Sequence, residues 1–401
     1  MPAYRSRLPV LAVVGILFFL CIQQGAVASC CDMARLIHNG AYGVADPSGQ
    51  VLEGCRVDAS YIPASVIKLI TAMATLDILG PEYRFSTEIY LDKDHALYIR
   101  GSGDPLLLSE NVREIVCQLK RRGLRRVERI FIDDSLYELE SSPPGSSLSD
   151  NPYDAPVTAA AVNFNSLPIT VNRMGEVGSG ESQTPYIACM QDAGKGLTRG
   201  KYRINICSGG CLQEQAAGRY TAELFQAFLR KEHVEVGNEC GLKKVPVGAP
   251  LVYKYRSRKT AEDGVRLMLH YSSNFLANQL FLTCGAVTCG YPATWKKGRE
   301  AVTGFLVRKL GREKASTITM VEGAGLSREN RVTVRTMLDI LHLFAPHAAL
   351  MRKKEGTLTK SGTMEGIYNY AGYLPNGFPY VILLNQQKNK RSQILDLLKS
   401  R

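Results

Sequence analysis

The chain has 401 residues, of which 45% are hydrophobic and 21% are charged, so it has the composition of an ordinary globular protein with room for two or three domains. Its formal net charge of +12 would suit a nucleic acid, an anionic membrane surface or an acidic polymer as partner. The export signal described next argues against nucleic acid.

The N-terminus has the pattern of a signal peptide. Two arginines precede an apolar segment from Leu8 to Ile22, which is short for a transmembrane span, and an Ala-Val-Ala cleavage site ends at Ala28. We therefore expect residues 1–29 to be a signal peptide and the protein to be exported to the periplasm. The same segment also resembles a bacterial lipoprotein box in which Cys30 would carry lipid and anchor the protein to a membrane. Both interpretations stay open.

The chain contains eleven cysteines, one of which lies in the predicted leader. The remaining number is high for a cytosolic protein and ordinary for an exported one, so we expect disulfides. Two pairs, Cys207/Cys211 and Cys284/Cys289, are close enough in sequence to bond locally. No second ligand pair accompanies Cys207 and Cys211, so we predict structural disulfides rather than zinc, and no metal or other cofactor.

The predicted elements follow in chain order. A hairpin around Pro47-Ser48-Gly49 joins two strands, and a helix that begins after Pro63 ends near Gly80-Pro81. The later predictions are strands at 83–91 and 96–100, a helix at 111–122, a strand at 127–132, a loop at 141–156, strands at 160–172, 186–190 and 202–207, a helix at 221–231, a helix-rich segment at 264–282, helices at 294–310, 334–344 and 392–399, and a buried strand at 379–385.

Ser65 and Lys68 lie three residues apart at the start of this first apolar helix. Positions i and i+3 share one face of a helix, so the hydroxyl and the amine can meet. A serine becomes a good nucleophile when a neighbouring base takes its proton, and a lysine can be that base where an apolar setting lowers its pKa. The spacing predicts a nucleophile–base pair; the alternative is an ordinary helix N-terminus with a surface lysine.

Two further motifs follow in order, Ser272-Ser273-Asn274 and Lys360-Ser361-Gly362-Thr363. Ser-x-x-Lys, Ser-x-Asn and Lys-Ser/Thr-Gly form the signature set of penicillin-binding proteins and serine β-lactamases. Three further segments indicate which family within this group the chain resembles: Gly101–Pro105, Asn163-Phe164-Asn165 and Glu322–Arg328. With these segments the chain resembles the D-Ala-D-Ala carboxypeptidase/endopeptidase family of the penicillin-binding-protein-4 type, peptidase family S13.

The resemblance implies a multi-domain α/β fold. Its catalytic domain would be β-lactamase/transpeptidase-like, with an antiparallel sheet and flanking helices. A compact domain of this kind does not need the long separation between Ser65 and Ser272, so we expect a large inserted β-rich region. The expected division is a signal peptide at 1–29, a first catalytic part at 30–86, one or more inserted domains at 87–250 and a second catalytic part at 251–401.

The resemblance also assigns roles in the first two motifs. Ser65 would be the nucleophile on a D-alanyl-D-alanine carbonyl, and Lys68 would accept its proton. Ser272 would relay protons to the leaving group, and Asn274 would bind the substrate amide and position Lys68.

In the third motif, Lys360 would supply positive charge for the substrate's terminal carboxylate, and Ser361 would offer that carboxylate a hydroxyl. Gly362 would let the substrate approach the strand closely. The backbone N–H groups of Ser65 and Thr363 would form the oxyanion hole.

A second stretch, Ser149-Asp150-Asn151, matches the usual Ser-Asp-Asn pattern by letters better than Ser272-Ser273-Asn274 does. Pro152 follows it directly and no helical pattern surrounds it, so we place the second motif at 272–274. The chain departs from the family pattern in having Ser273 at a usually acidic position, Glu322 and Ala324 in place of Asp and Ser/Thr, and Ser361 in place of Thr.

The function implied is a serine-type D-Ala-D-Ala carboxypeptidase, with DD-endopeptidase activity as an extension, that acts on peptidoglycan stem peptides. β-Lactam antibiotics would be its covalent inhibitors. The alternatives are a serine β-lactamase and a non-catalytic penicillin-sensing or wall-binding protein.

Overall fold

The computed structural model describes residues 33, 35–207, 212–354 and 356–400, so the predicted signal peptide and Cys30 lie outside the described residues. The strands are β1 (Gly40–Ala45), β2 (Val51–Cys55), β3 (Ser60–Tyr61), β4 (Ser86–Leu91), β5 (Ala96–Gly101), β6 (Arg126–Asp133), β7 (Ser166–Val171), β8 (Val177–Ser179), β9 (Gly200–Asn205), β10 (Glu235–Leu242), β11 (Leu251–Arg256), β12 (Val332–Thr333), β13 (Lys353–Lys354), β14 (Thr357–Met364), β15 (Ile367–Tyr373) and β16 (Pro379–Leu384).

The helices are α1 (Lys68–Ile78), α2 (Ser109–Arg121), α3 (Ala188–Gly194), α4 (Gln213–Lys231), α5 (Ala261–Tyr271), α6 (Asn274–Cys289), α7 (Trp295–Leu310), α8 (Arg312–Ser316), α9 (Val334–Phe344) and α10 (Arg391–Lys399). A 3-10 turn, Ala64–Ile67, leads into α1. In the part of the chain that the structure describes, no helix combines the length and apolar character needed to cross a bilayer.

A six-stranded antiparallel sheet, in the order β13-β14-β15-β16-β1-β2, joins the two ends of the chain. Side chains of β16 alternate between two cores, as the period of a strand requires. Val381 and Leu383 enter the main core with α1, α6 and α9, whereas Tyr380 and Ile382 pack on the face covered by α10. Helices therefore cover both faces of this sheet.

A second sheet has five strands in the order β10-β6-β5-β4-β11. Its β5/β6 and β6/β10 pairs are parallel, and its β4/β5 and β4/β11 pairs are antiparallel. A three-stranded sheet, β8-β7-β9, shares a separate hydrophobic core with α2 and α4, built from residues between Ile89 and Tyr255. The expected mixed α/β architecture, with an antiparallel sheet flanked by helices, is confirmed.

Two predicted strands are wrong in part or in whole. Residues 186–190 lead into the short helix α3, in which Met190 is buried, instead of forming a strand. The strand predicted at 160–172 begins only at Ser166 as β7, because residues 163–165 have φ between 47° and 62°. These left-handed conformations are incompatible with an extended strand.

The predicted Cys284/Cys289 bond is also wrong, since both thiols are free. The two residues lie on α6 five positions apart, so their side chains point about 140° away from each other. Cys207 is disulfide-bonded, and the Cys211 half of that predicted pair lies outside the described residues.

Candidate active site

Ser65 lies on the 3-10 turn that leads into α1, and side chains of the six-stranded sheet hold this turn in place through hydrogen bonds. Asn369 of β15 donates from Nδ2 to the carbonyls of Ile62 and Pro63, at 2.9 and 2.7 Å. Asn385, just after β16, accepts the N–H of Ile62 at 2.8 Å. These amides anchor the entry to the turn on the sheet, so the half-buried Ser65 side chain is held by rigid elements.

Lys68 is fully buried, and its amine has three polar neighbours. Nζ lies 2.8 Å from Ser65 Oγ, 2.8 Å from Asn274 Oδ1 and 2.6 Å from the carbonyl oxygen of Ala324. The two carbonyl oxygens can only accept hydrogen bonds, so they take the two hydrogens of a neutral amine. The lone pair of that amine is then left for the hydroxyl proton of Ser65.

The surroundings of Lys68 favour this neutral form. Burial holds the pKa of Lys68 well below its ordinary value, and the positive charge of Lys360 lowers it further, while Glu322 acts in the opposite direction. An unprotonated lysine beside a serine hydroxyl is the arrangement that a general base requires.

The Glu322 carboxylate, fully buried, shapes the loop that supplies the Ala324 carbonyl. It accepts the backbone N–H groups of residues 324–326 at 2.7 to 2.8 Å and the side-chain amide of Asn330 at 2.9 Å. The longer Glu in place of the family's usual Asp therefore still organises the turn. From the sequence we assigned no role to Glu322 or Ala324. The acidic residue directly before Gly-Ala-Gly was the one sequence feature that could have indicated a loop organised by a carboxylate.

Gly325 allows this loop to pack against the Ser65 turn. Its φ is +84°, and a Cβ there would fall 2.1 Å from the carbonyl oxygen of Ala64. Glycine tolerates both the conformation and the approach.

Ser272 and Lys360 form a second serine–lysine pair. Lys360 Nζ donates to Ser272 Oγ at 2.8 Å and to the Ser361 carbonyl at 2.7 Å. Lys360 is 3% exposed, and burial together with the nearby Arg391 guanidinium lowers its pKa to about 7. The amine is therefore poised between its charged and neutral forms near neutral pH.

The break between α5 and α6 positions the second motif. Ser272 has a φ of 55° and ends α5, and Ser273 caps the start of α6 by accepting the N–H of Leu276 at 3.2 Å. Serine and aspartate are both favoured N-cap residues, so Ser273 keeps the cap at a position where an acidic residue is usual. Asn274 then opens α6 with its side chain on Lys68.

Strand β14 carries the third motif past the Ser65 turn. A Cβ on Gly362 would lie 2.7 Å from the Pro63 carbonyl oxygen and 3.1 Å from the Ser65 nitrogen, so only glycine permits this contact. Ser361 is exposed beside Lys360, and Thr363 Oγ1 accepts a hydrogen bond from Arg391 at 2.7 Å. The structure thus brings all three motifs together.

The competing Ser149-Asp150-Asn151 stretch borders the site without entering it. Asn151 is exposed, and within the described ranges its side chain bonds only the Ser149 hydroxyl, at 3.1 Å. The loop touches the site through Tyr153, whose carbonyl accepts from Asn274 Nδ2 at 3.1 Å.

We predict that Asn274→Ala lowers kcat/KM for a D-Ala-D-Ala peptide by at least about a hundredfold, because Lys68 loses an acceptor and the resemblance assigns Asn274 to the substrate amide. Asn151→Ala, a matched change in the bordering loop, should leave kcat/KM close to that of the wild type. Steady-state kinetics of the two purified variants measure this difference. A large loss of kcat/KM in Asn151→Ala, with a near-normal value in Asn274→Ala, would place the second motif at 149–151.

Two cavities open on either side of Ser272. One, of about 490 Å³, is largely apolar and is lined by Tyr153, Phe164 and the start of α6. The other, of about 290 Å³, lies along Lys360 and Ser361. Over the described ranges, no cluster of three or more His, Cys, Asp or Glu side chains is arranged to hold a metal ion.

Known proteins are similar to this chain in sequence and in fold. The model of the D-Ala-D-Ala carboxypeptidase 3 (S13) family matches residues 36–196 and 210–355. The D-alanyl-D-alanine carboxypeptidase DacB of Haemophilus influenzae is 25% identical over 391 residues, covering 82% of this chain and 80% of its own. A D-alanyl-D-alanine carboxypeptidase of Actinomadura sp. is 26% identical over 411 residues, covering 84% of this chain and 75% of its own.

Solved structures agree on the fold. The crystal structure of penicillin binding protein 4 (dacB) from Haemophilus influenzae superposes with a TM-score of 0.73 at 20% identity, covering 92% of this chain and 97% of that one. A second structure of that protein, complexed with a novel β-lactam, gives a TM-score of 0.69 at the same identity and coverage. The resemblance and the transpeptidase-like fold expected from the motifs are confirmed, and the chain belongs to the D-Ala-D-Ala carboxypeptidase 3 (S13) family of peptidases.

Proposed function

We propose that this protein is a serine-type D-Ala-D-Ala carboxypeptidase that acts on peptidoglycan stem peptides through an acyl-enzyme on Ser65. The observation that carries the proposal is the 2.8 Å contact between Ser65 Oγ and the buried amine of Lys68. Membership of the S13 family supports the same reaction.

In the proposed acylation, Lys68 takes the hydroxyl proton of Ser65 as Oγ attacks the carbonyl carbon of the penultimate D-Ala. The new C–O bond forms and the C–N bond to the terminal D-Ala then breaks. Ser272 relays to the departing amine the proton that Lys68 has taken, which returns Lys68 to its neutral form, and the contact of Ser272 with Lys360 at 2.8 Å supports a relay at this position. Lys68 next takes a proton from the water that attacks the ester. The C–O bond to Ser65 then breaks, and Lys68 returns that proton to Ser65 Oγ.

Substrate recognition follows from the other two motifs. Lys360 in its charged form and the Ser361 hydroxyl bind the terminal carboxylate, and Asn274 binds the substrate amide. The backbone N–H groups of Ser65 and Thr363 stabilise the oxyanion, a contribution of about 3–4 kcal/mol for each donor. The close approach of β14 to the Ser65 turn at Gly362 supports this last assignment.

We infer that residues 87–250 are an insertion between two parts of one catalytic domain, 30–86 and 251–401. The antiparallel pairing of β4 with β11, which directly follows residue 250, supports this, because it places the chain that enters this region beside the chain that leaves it. The separate core between Ile89 and Tyr255 supports it as well.

Labelled penicillin tests the proposed function. A carboxypeptidase of this kind should form a covalent adduct that persists, and it should release D-Ala from a D-Ala-D-Ala peptide. The β-lactam complex of a relative supports this expectation. Rapid turnover of the penicillin would instead indicate the serine β-lactamase alternative, and the absence of any adduct would indicate a non-catalytic penicillin-sensing or wall-binding protein.

The pKa of Lys360 predicts a pH dependence. Lys360 is charged below about pH 7 and neutral above it, so the free enzyme loses its carboxylate partner as the pH rises through this value. We expect kcat/KM for a peptide with a free terminal carboxylate to fall on the alkaline side of about pH 7. The matched peptide with a terminal carboxamide should lack this alkaline limb; an identical limb for both peptides would remove Lys360 from carboxylate binding.

We propose that the protein is exported to the periplasm and that its mature form begins at a lipidated Cys30. A diacylglycerol on the thiol and an acyl chain on the amine would exceed the two signals that stable membrane anchoring needs. Mass spectrometry of the N-terminal peptide should therefore find lipid on Cys30. An unmodified N-terminus at Ser29 would contradict lipidation and leave a signal-peptide-processed periplasmic enzyme.

A further inference from the structure

The 290 Å³ cavity beside Lys360 has an unusual charge. Among the residues that the structure describes, its lining contains five basic side chains and no Asp or Glu, although the chain as a whole has 37 acidic residues. The basic residues are His270, Arg352, Lys354, Lys360 and Arg391. A concave surface lined by one sign of charge attracts ligands of the opposite sign.

Two of these cations have no acidic partner among the residues that the structure describes. Arg391 stacks on Tyr370, with its guanidinium carbon 4.5 Å from the ring centroid, and it donates to the Gly362 carbonyl at 3.0 Å. All of its hydrogen bonds within the described ranges run through Nη1, so Nη2 has no partner there. Arg352 is exposed, and its guanidinium forms no ion pair or hydrogen bond within the described ranges.

The cavity also lies on a defined side of the reacting bond. Ser272 and Lys360, which we assign to the leaving group and its carboxylate, both line it, and Ser361 lies at the same wall. Lys360 and Ser361 suffice for the single carboxylate of a departing D-Ala. Arg352 and Arg391 line the same cavity and add two positive charges beyond that of Lys360, more than one carboxylate neutralises.

We propose that this cavity is a leaving-group subsite for a second anionic group, contributed by a peptide whose departing portion carries two carboxylates. Arg352 and the Nη2 group of Arg391 bind the second carboxylate, while Lys360 and Ser361 bind the first. Cross-linked stem peptides have leaving groups of this class, since the departing amine belongs to another acidic peptide. The inference rests on the proposed peptidase function and extends it to the choice of leaving group.

A matched pair of substrates tests the subsite. Both peptides have the same acyl portion ending in D-Ala, followed by D-Glu in one and by its neutral isostere D-Gln in the other. We expect kcat/KM to be about tenfold higher for the D-Glu peptide, the size of a charge-assisted hydrogen bond. Because the subsite is open to solvent, this preference should shrink as salt is added.

Arg352→Gln should reduce the ratio of the two kcat/KM values to about one. Arg312→Gln makes the same charge change at an exposed position outside the cavity lining and should keep the wild-type ratio. A wild-type ratio near one, or a ratio that Arg352→Gln leaves unchanged, would overturn the subsite while the enzyme still released D-Ala from a D-Ala-D-Ala peptide. Failure to hydrolyse any of these peptides would overturn the proposed function and the subsite together.

Discussion

Replacement of Ser65 by alanine is expected to abolish D-Ala release, with a loss of roughly 10⁴-fold or more in kcat, and to abolish covalent labelling by penicillin. The reason is the hydrogen bonding of Lys68, since two carbonyl acceptors leave its lone pair on the Ser65 hydroxyl alone. Fluorescent penicillin on a denaturing gel measures the labelling, and release of free D-Ala measures the turnover.

The structure itself provides the control. Ser272 also lies 2.8 Å from a lysine amine, that of Lys360, and is thus the other hydroxyl with a nearby base. Ser272→Ala should slow acylation but leave the label on Ser65. Labelling that survives in Ser65→Ala and disappears in Ser272→Ala would exchange the roles of the two serines.

Lys68 variants should show the second large effect. We expect Lys68→Ala to slow acylation by penicillin by several orders of magnitude, because no other buried base contacts Ser65 in the described part of the chain. Lys68→Arg keeps a long basic side chain at the site but cannot rescue the rate, since a guanidinium does not give up its proton in proteins. Stopped-flow acylation kinetics measure both variants.

The fold of the Lys68 variants needs a separate check, because both changes alter a fully buried side chain. Lys68→Ala also removes the hydrogen-bond donor of the Ala324 carbonyl. Thermal unfolding monitored by circular dichroism provides it. A folded Lys68→Arg protein that acylates at nearly the wild-type rate would contradict the assignment of Lys68 as the base.

The contact between Ser65 and Lys68 was predictable because the two residues are local in sequence. The i, i+3 spacing of Ser65 and Lys68 implies proximity in a helix, and it does so here although Ser65 lies on a 3-10 turn and Lys68 opens α1. The three motif positions were predictable from the resemblance. Their distances from one another were not, since contacts such as Lys68–Asn274 depend on how distant segments pack.

Other parts of the site carry little sequence signal. The carbonyl of Ala324 contacts Lys68 through its backbone, and any residue could supply that oxygen. Asn369 and Asn385 reach the Ser65 turn across more than 300 positions of sequence, and nothing in the sequence distinguishes these two asparagines from the others. Strand β10 was missed for a related reason, because it exists through parallel pairing with β6 and its burial does not alternate.

Peptide mapping of the penicillin adduct tests the central claim most directly. The intact protein would be incubated with penicillin, digested and analysed by tandem mass spectrometry, with Ser272→Ala processed in parallel. The account predicts the mass of one penicilloyl group on the peptide that contains Ser65, with the fragment ions placing it on the Ser65 side chain. An adduct on Ser272 or any other residue, or an unmodified Ser65 after complete exposure to penicillin, would contradict the assignment.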